Sequence, residues 1–248
     1  MFLVRPLEYT FLSSSGLAVA IYADAHNDRS SNRTIDDIGT FLRLAIRCTD
    51  IMEFIHRHNT IHGQLNMGAF CWNNDTDARL WNFAGNGTSG SSASFGKYLT
   101  SEGWKKYQNS QAIMENRIMY ISPEQTGRTS YMADHRSDIY SLGIVFFVLL
   151  TGQVPFDGGP LKIINSILSR KMPSVHDIQL NVPEALSRII DKMTCKNPEE
   201  RYMSMHGVKC DMENYLQRLK TSDAGVRSTL HPRKGGKENR RCMGDKSV

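Results

Sequence analysis

Residues 139–150, IYSLGIVFFVLL, carry no charge and are apolar around most of the circumference of a helix. A segment of this kind belongs either in a lipid bilayer or in the middle of a packed domain. A bilayer needs roughly 20 apolar residues in one helix, so this run is too short and its place is the centre of a helical core. The rest of the chain must be arranged around it. Gly152 ends the segment, and further helices are predicted at 160–170, 183–192 and 204–220, with Pro160 and Pro183 near first-turn positions. The second half therefore reads as all helix, with the central one spanning 137–151. At 248 residues, 40% hydrophobic and 22% charged, the chain has room for one large domain or two small ones. Collagen-like, coiled-coil and wholly disordered chains are excluded, and no internal repeat is visible.

The first half mixes periods. From Thr34 the apolar residues Ile35, Ile38, Phe41, Leu42, Ala45, Ile46, Ile51, Met52, Phe54 and Ile55 recur at three and four, which predicts a long helix. Thr34 is its expected N-cap, with Asp36 and Asp37 in the first turn. Before it, residues 3–11 and 17–22 read as short strands joined at Ser13-Ser14-Ser15-Gly16 and followed by a polar loop, 24–33. After it, 70–72 and 79–81 read as strands of a small hairpin around Asn73-Asn74-Asp75. Residues 84–118 open with Gly85, Gly87, Gly90 and a serine run, and read as a mobile loop.

Cysteine usage and charge narrow the function classes. Cys48, Cys71, Cys195, Cys210 and Cys242 form no CxxC pair and are odd in number, which fits neither a zinc module nor a dense disulfide framework and suits a reducing compartment. Arg5, Pro6 and Glu8 interrupt the apolar start before a signal core develops. No membrane span and a cytoplasmic location are expected. Of the net charge of +5, residues 221–248 hold a surplus of four, leaving the body nearly neutral. That excludes a phosphate-tracking surface, and no nucleic-acid partner is expected. His56, His58 and His62 do not read as a metal site, because an HxH pair on a helix points its rings apart and no acid or thiol lies at ligand spacing. Cys71 reads as an inert core thiol, and Met172, Met193, Met203 and Met205 as gap-fillers on different helices. Trp72, Trp81 and Trp104 make no stacking platform.

In chain order the predicted elements carry several strings. The long helix leads to Ile61-His62-Gly63-Gln64-Leu65, and the hairpin to Leu80-Trp81-Asn82-Phe83-Ala84. The Gly/Ser-rich stretch leads to Tyr120-Ile121-Ser122-Pro123-Glu124-Gln125-Thr126-Gly127-Arg128. The apolar helix opens with Asp138-Ile139-Tyr140-Ser141-Leu142-Gly143 and is followed by Gln153-Val154-Pro155-Phe156, with Arg201 before the last helix. In this order and spacing, residues 34–220 resemble the C-terminal lobe of a protein kinase. The 120–128 phrase in particular resembles the kinase-like N-terminal module of hybrid sensor histidine kinases, whose ATPase-like, sensor and histidine-kinase regions are not found in this sequence. The resemblance implies a mainly α fold: a protein-kinase-like C-lobe with a short β remnant of the N-lobe and a small β-hairpin. Residues 1–33 would be the remnant strands and hinge, 34–220 the C-lobe, and 221–248 a disordered basic tail.

The same resemblance implies missing chemistry. Phosphoryl transfer in kinases uses a carboxylate to orient the substrate hydroxyl, and an aspartate and an asparagine to hold magnesium. The carboxylate position falls on Gln64, whose amide is neutral and takes no proton. The metal-ligand asparagine falls on Ala69, which has no donor atom, and the aspartate falls on Asn82, a neutral and weak ligand. Asn66 stands where a lysine is usual, and Ala84 where a glycine is. No GxGxxG and no lysine occur before residue 34, and Tyr22 takes the place of the strand lysine. Nucleotide affinity is expected to be poor or absent. No cofactor is implied, with ATP and magnesium entering only if the domain is active.

The resemblance leaves a frame in place. Glu124 and Arg201 occupy the positions of the ion pair that fastens the activation segment to the last helices, and Asp138 that of the aspartate bracing the catalytic loop around His62. His62 and Phe83 would be packing residues. The implied function is a catalytically inactive kinase-like domain acting as a regulatory or protein-binding module in two-component signalling. Its partners would be other proteins or adjacent histidine-kinase domains. The alternatives are an active ATP-dependent Ser/Thr protein kinase, or a fragment of a larger sensor histidine kinase read from a truncated frame.

Overall fold

Asp37, rather than Thr34, begins the first long helix: its carboxylate accepts the Thr40 backbone N–H at 2.6 Å. Thr34 is displaced as cap because the chain ahead of the helix is extended and tied elsewhere, the Ile35 N–H donating to Leu149 O at 2.9 Å. The computed structural model describes residues 6–12, 17–22, 34–72, 78–80 and 117–229. Helix α1 runs over Ile38–Arg57, and every apolar residue that set the sequence period from Phe41 to Ile55, apart from Ile46 and Phe54, is buried.

Among the described residues four short strands accompany it. Strands β1 (Pro6–Leu12) and β2 (Leu17–Tyr22) pair antiparallel, with an irregularity between Pro6 and Glu8. Strands β3 (Phe70–Trp72) and β4 (Ala78–Leu80) also pair antiparallel, Phe70 opposite Leu80. The second of these sits one residue earlier than the 79–81 read from sequence. Ala78 and Leu80 are buried and flank exposed Arg79, so the period of two is anchored on the small alanine that a strand pattern underweights. The turn between β3 and β4 lies outside the described residues, as do the side chain of Cys71, Trp81, Trp104, Cys242 and most of the 84–118 stretch. Within that stretch Arg117 and Ile118 begin a helical turn, and Ile118 is buried.

Helix α2 (His135–Thr151) is the centre of the molecule, buried from Ser137 to Leu150. It starts two residues before the expected 137, because Asp134 caps it by accepting the Arg136 N–H at 2.7 Å. It ends at Gly152, whose φ of +71° is the left-handed C-cap conformation that glycine adopts without steric cost. Helices α3 (Pro160–Ser169), α4 (Val175–Ile178), α5 (Glu184–Met193) and α6 (Met205–Thr229) follow. The one-turn α4 was not anticipated, being too short to show a helical period. Pro183 is the cap of α5 rather than its first residue. Helix α6 continues past Lys220, where sequence ended it, since Gly225 alone does not stop a helix and the next proline is Pro232.

The packing explains the pattern. Gly143 lets α2 lie against the end of α5, where an added Cβ would come within 2.6 Å of Thr194 Cγ2 and 3.0 Å of Met193 Cβ. Phe41 of α1 meets Phe146 of α2 edge to face at 5.6 Å. Helix α6 packs along α1 and closes the core through Val208 and Met212. Met172, Met193 and Met205 are buried as expected, but Met203 is 71% exposed and fills no gap. Among the described residues, no helix is long and apolar enough to cross a membrane.

Candidate functional site

The loop 61–66 leaves α1 after a left-handed residue, Asn59 at φ +53°, and is held from beneath by α2. Asp138, in the first turn of α2 and fully buried, accepts the His62 N–H at 2.8 Å through one carboxylate oxygen and the Gly63 N–H at 2.7 Å through the other. Gly63 has a φ of +72°, which turns two successive N–H groups toward one carboxylate. His56, near the end of α1, adds a third contact, its Nε2 lying 2.9 Å from Asp138 Oδ2. An ionised carboxylate only accepts, so His56 Nε2 carries the proton. Buried Asp138 is thus met by three donors, which offsets much of the cost of keeping it from water.

His62 is buried, and its Nδ1 accepts the Gln64 N–H at 3.3 Å. Burial holds its imidazole below the ordinary histidine range against the opposing pull of Asp138, so the ring is neutral near pH 7. Beyond His62 the loop alternates, Leu65 turning into the core and Gln64 out of it. The Gln64 side chain faces solvent, where its Oε1 accepts from Arg117 Nη1 at 3.1 Å. Asn66 folds back on the chain, its Oδ1 accepting the Gly68 N–H at 2.9 Å and its Nδ2 donating to Gln64 O at 2.9 Å. These bonds cap a 3₁₀ turn, Met67–Ala69, which buries Ala69. Gln64 and Ala69 are therefore near one another in the chain but differently placed, one in water and one in the core. Asn82 and Phe83 lie outside the described residues.

The second cluster joins the 120–128 segment to the C-terminal helices. Arg201 has five N–H donors, and each has an acceptor. Nη1 donates to Glu124 Oε1 at 2.7 Å and to Arg136 O at 3.0 Å. Nη2 donates to Glu124 Oε2 at 2.8 Å and to Lys196 O at 3.1 Å, and Nε to Cys195 O at 2.8 Å. Ser137 Oγ adds a bond to Glu124 Oε1 at 2.7 Å. Both charged side chains are essentially sealed, at 0% and 1% exposure. Burial alone would raise the Glu124 carboxyl, but the bonds and charge of Arg201 and the Ser137 hydroxyl hold it below the usual carboxylate range.

A neutral tie connects the two clusters. Gln125 Nε2 donates to Gly63 O at 2.7 Å, while its Oε1 accepts from both the N–H and the hydroxyl of Ser122, at 3.0 and 3.1 Å. The structure thus brings Asp138 to His62, and Glu124 to Arg201, across 76 and 77 residues of sequence. It also supplies four partners that sequence reasoning missed: His56, Arg117, Gln125 and Ser137. His56 was weighed only as a metal ligand with no acid nearby, yet its acid comes from a helix 82 residues away. Among the described residues no group of His, Cys, Asp and Glu is arranged to hold a metal ion.

Residues 40–212, well over half of the chain, match the family described as protein kinase domain. The chain belongs to the protein kinase family. This kinase domain is similar to the peroxide stress-activated histidine kinase mak3 of Schizosaccharomyces pombe, 34% identical over 215 residues that make up 85% of the chain and 9% of that protein. It is also similar to hybrid signal transduction histidine kinase G of Dictyostelium discoideum, 43% identical over 120 residues, 48% of the chain and 4% of that protein. The serine/threonine-protein kinase PrkC of Bacillus subtilis is 39% identical over 97 residues, 39% of the chain and 15% of PrkC. The kinase domain spans less than a tenth of the length of these histidine kinases.

Proposed function

We propose that this kinase domain is catalytically silent and works as a regulatory or protein-binding module in signal transduction of the hybrid histidine-kinase type. The observation that carries the reading is the contrast at the 61–69 loop. The loop is fixed in place by Asp138, yet its exposed tip presents an amide, Gln64, and its buried end a methyl group, Ala69. An amide takes no proton from a substrate hydroxyl and a methyl group ligates nothing. That donor set does not fit magnesium, which prefers carboxylate and other oxygen ligands.

In this reading residues 34–220 are the C-lobe, with Glu124, Asp138, Arg201, His62 and Phe83 in framework roles and Gln64, Ala69 and Asn82 at erased catalytic positions. Residues 1–33 supply front-lobe strands, and of 221–248, expected to be a disordered basic tail, the first nine residues instead prolong α6. The partner is a protein or a neighbouring histidine-kinase domain, the setting is cytoplasmic, and no nucleotide is needed.

The test is thermal unfolding of the whole chain with and without millimolar ATP and magnesium, paired with radiolabelled phosphate transfer to a generic acceptor. A ligand that binds only the native state must raise its melting temperature. No shift and no incorporation are expected. A clear upward shift together with magnesium-dependent incorporation lost on Gln64→Ala would overturn the reading. It would favour an active ATP-dependent Ser/Thr kinase instead, a second reading supported by the likeness to PrkC.

A further inference from the structure

Helices α1 and α6 form a seam on which a thiol, an imidazole and a carboxylate stand in line, away from the loop and the ion pair described above. His206 and Cys210 are one turn apart on α6, and Cys210 Sγ lies 3.5 Å from His206 Nε2. The other ring nitrogen, Nδ1, lies 3.3 Å from Glu53 Oε1 of α1. Glu53 is largely buried, at 12% side-chain exposure, and is also paired with Arg57. The neighbouring pair Lys209 to Asp50, at 2.5 Å, ties the same two helices together.

The Cys210 contact allows either neutral tautomer of His206, and one of the two turns its proton toward Glu53. A carboxylate accepts, so the tautomer that suits Glu53 has its proton on Nδ1 and leaves Nε2 as a lone pair facing the thiol. Nucleophile, base and orienting group are then in sequence, the arrangement that activates cysteines in covalent chemistry. Two other thiols of the chain lack it. Cys195 donates back to the preceding helix at Asp191 O, and burial pushes it up; Cys48 is fully buried and raised by desolvation. His206 is 63% exposed, so small solutes reach the array.

We propose that Cys210 is a thiol activated for two-electron oxidation by hydroperoxides, with His206 as proton acceptor and Glu53 as positioning residue. His206 Nε2 takes the thiol proton, and the sulfur attacks one peroxide oxygen. The sulfur–oxygen bond forms as the oxygen–oxygen bond breaks. Sulfur is oxidised by two electrons and the peroxide is reduced. The imidazolium returns its proton to the departing hydroxide, so thiol and hydrogen peroxide become sulfenic acid and water.

The test exposes the whole chain to hydrogen peroxide, traps sulfenic acid with dimedone and follows each cysteine by peptide mass spectrometry. A parallel arm uses iodoacetamide, which needs no proton for its leaving group. Cys210 is expected to react about tenfold faster than Cys195, a conservative share of the ~10² that a positioned base supplies in a closed site. His206→Asn should remove that advantage and slow the peroxide reaction more than the alkylation, with Glu53→Gln giving a smaller loss of the same kind. The ratio of Cys210 to Cys195 within one molecule corrects for any loosening of the fold. Equal rates at the two thiols, or a rate at Cys210 unchanged by His206→Asn, would overturn the proposal. Equal slowing of both reagents would overturn the return of the proton.

Discussion

Glu124 with Arg201 and Gln64 with Arg117 are both arginine contacts to a side chain from a distant part of the chain, yet they are built on opposite principles. Around Arg201 every donor is matched and water is excluded, so the arrangement tolerates no missing member. At the Gln64 side chain, among the described residues, one hydrogen bond joins an exposed, uncharged amide to the half-buried Arg117, and water replaces it at little cost. The difference teaches where this domain has kept its constraints. Its interior specifies one geometry, while the exposed tip of its loop is held by a contact that water can replace.

The comparison breaks most visibly at Arg201. Arg201→Met leaves Glu124 charged and sealed without its partner, and a loss of about 3–5 kcal/mol is expected in urea unfolding. A loss below ~1 kcal/mol would mean that water already enters the cluster. Asp138→Asn comes next. The amide turns a donor onto one of the His62 and Gly63 N–H groups, and about 1.5–3 kcal/mol should disappear, the worth of a hydrogen bond to a charged group.

Acid sharpens the same contrast without mutation. His62 and Glu124 are both held below their ordinary ranges in the folded chain, so the unfolded chain binds more protons. The stability that each contributes is complete above its unfolded value. It falls as pH drops from the histidine range, and falls again below the ordinary carboxylate range. A pH series of melting temperatures should decline in two stages, the upper stage reduced in His62→Phe if that variant folds and the lower one reduced but not abolished in Arg201→Met, because the Asp37 and Asp134 carboxyls are also held below the usual range. The smallest effect belongs to the exposed tip: Gln64→Ala should change stability by no more than about 0.5 kcal/mol. A larger value would show that the Arg117 contact belongs to the frame.

Much of this frame was legible because it rests on residue types that have few other uses in a core. An uncharged run of 12 residues had to be central, whereas Asp138, Glu124 and Arg201 were placed by the resemblance to a kinase lobe and not by any local pattern. The 3.6 period located α1 to within a few residues, and its cap was misplaced because Thr34, Asp36 and Asp37 are all competent caps by type. Long-range hydrogen bonds were harder to read. Gln125 is one polar residue in a polar string, and nothing local says that its amide reaches Gly63 O. His56 carried a misleading signal, since a histidine pair suggests metal, while the tertiary fold gives it a carboxylate from α2. The Cys210 array was invisible for the same reason: spacing shows two of its members, but Glu53 is more than 150 residues away in the chain.

The Gln125 tie has a practical consequence. It joins the 120–128 segment to the loop through amide, hydroxyl and peptide groups, none of which carries a formal charge. Raising ionic strength weakens exposed ion pairs such as Arg188 with Glu184, but it has no counter-ion to offer this seam. The join should hold equally well in dilute buffer and in molar sodium chloride.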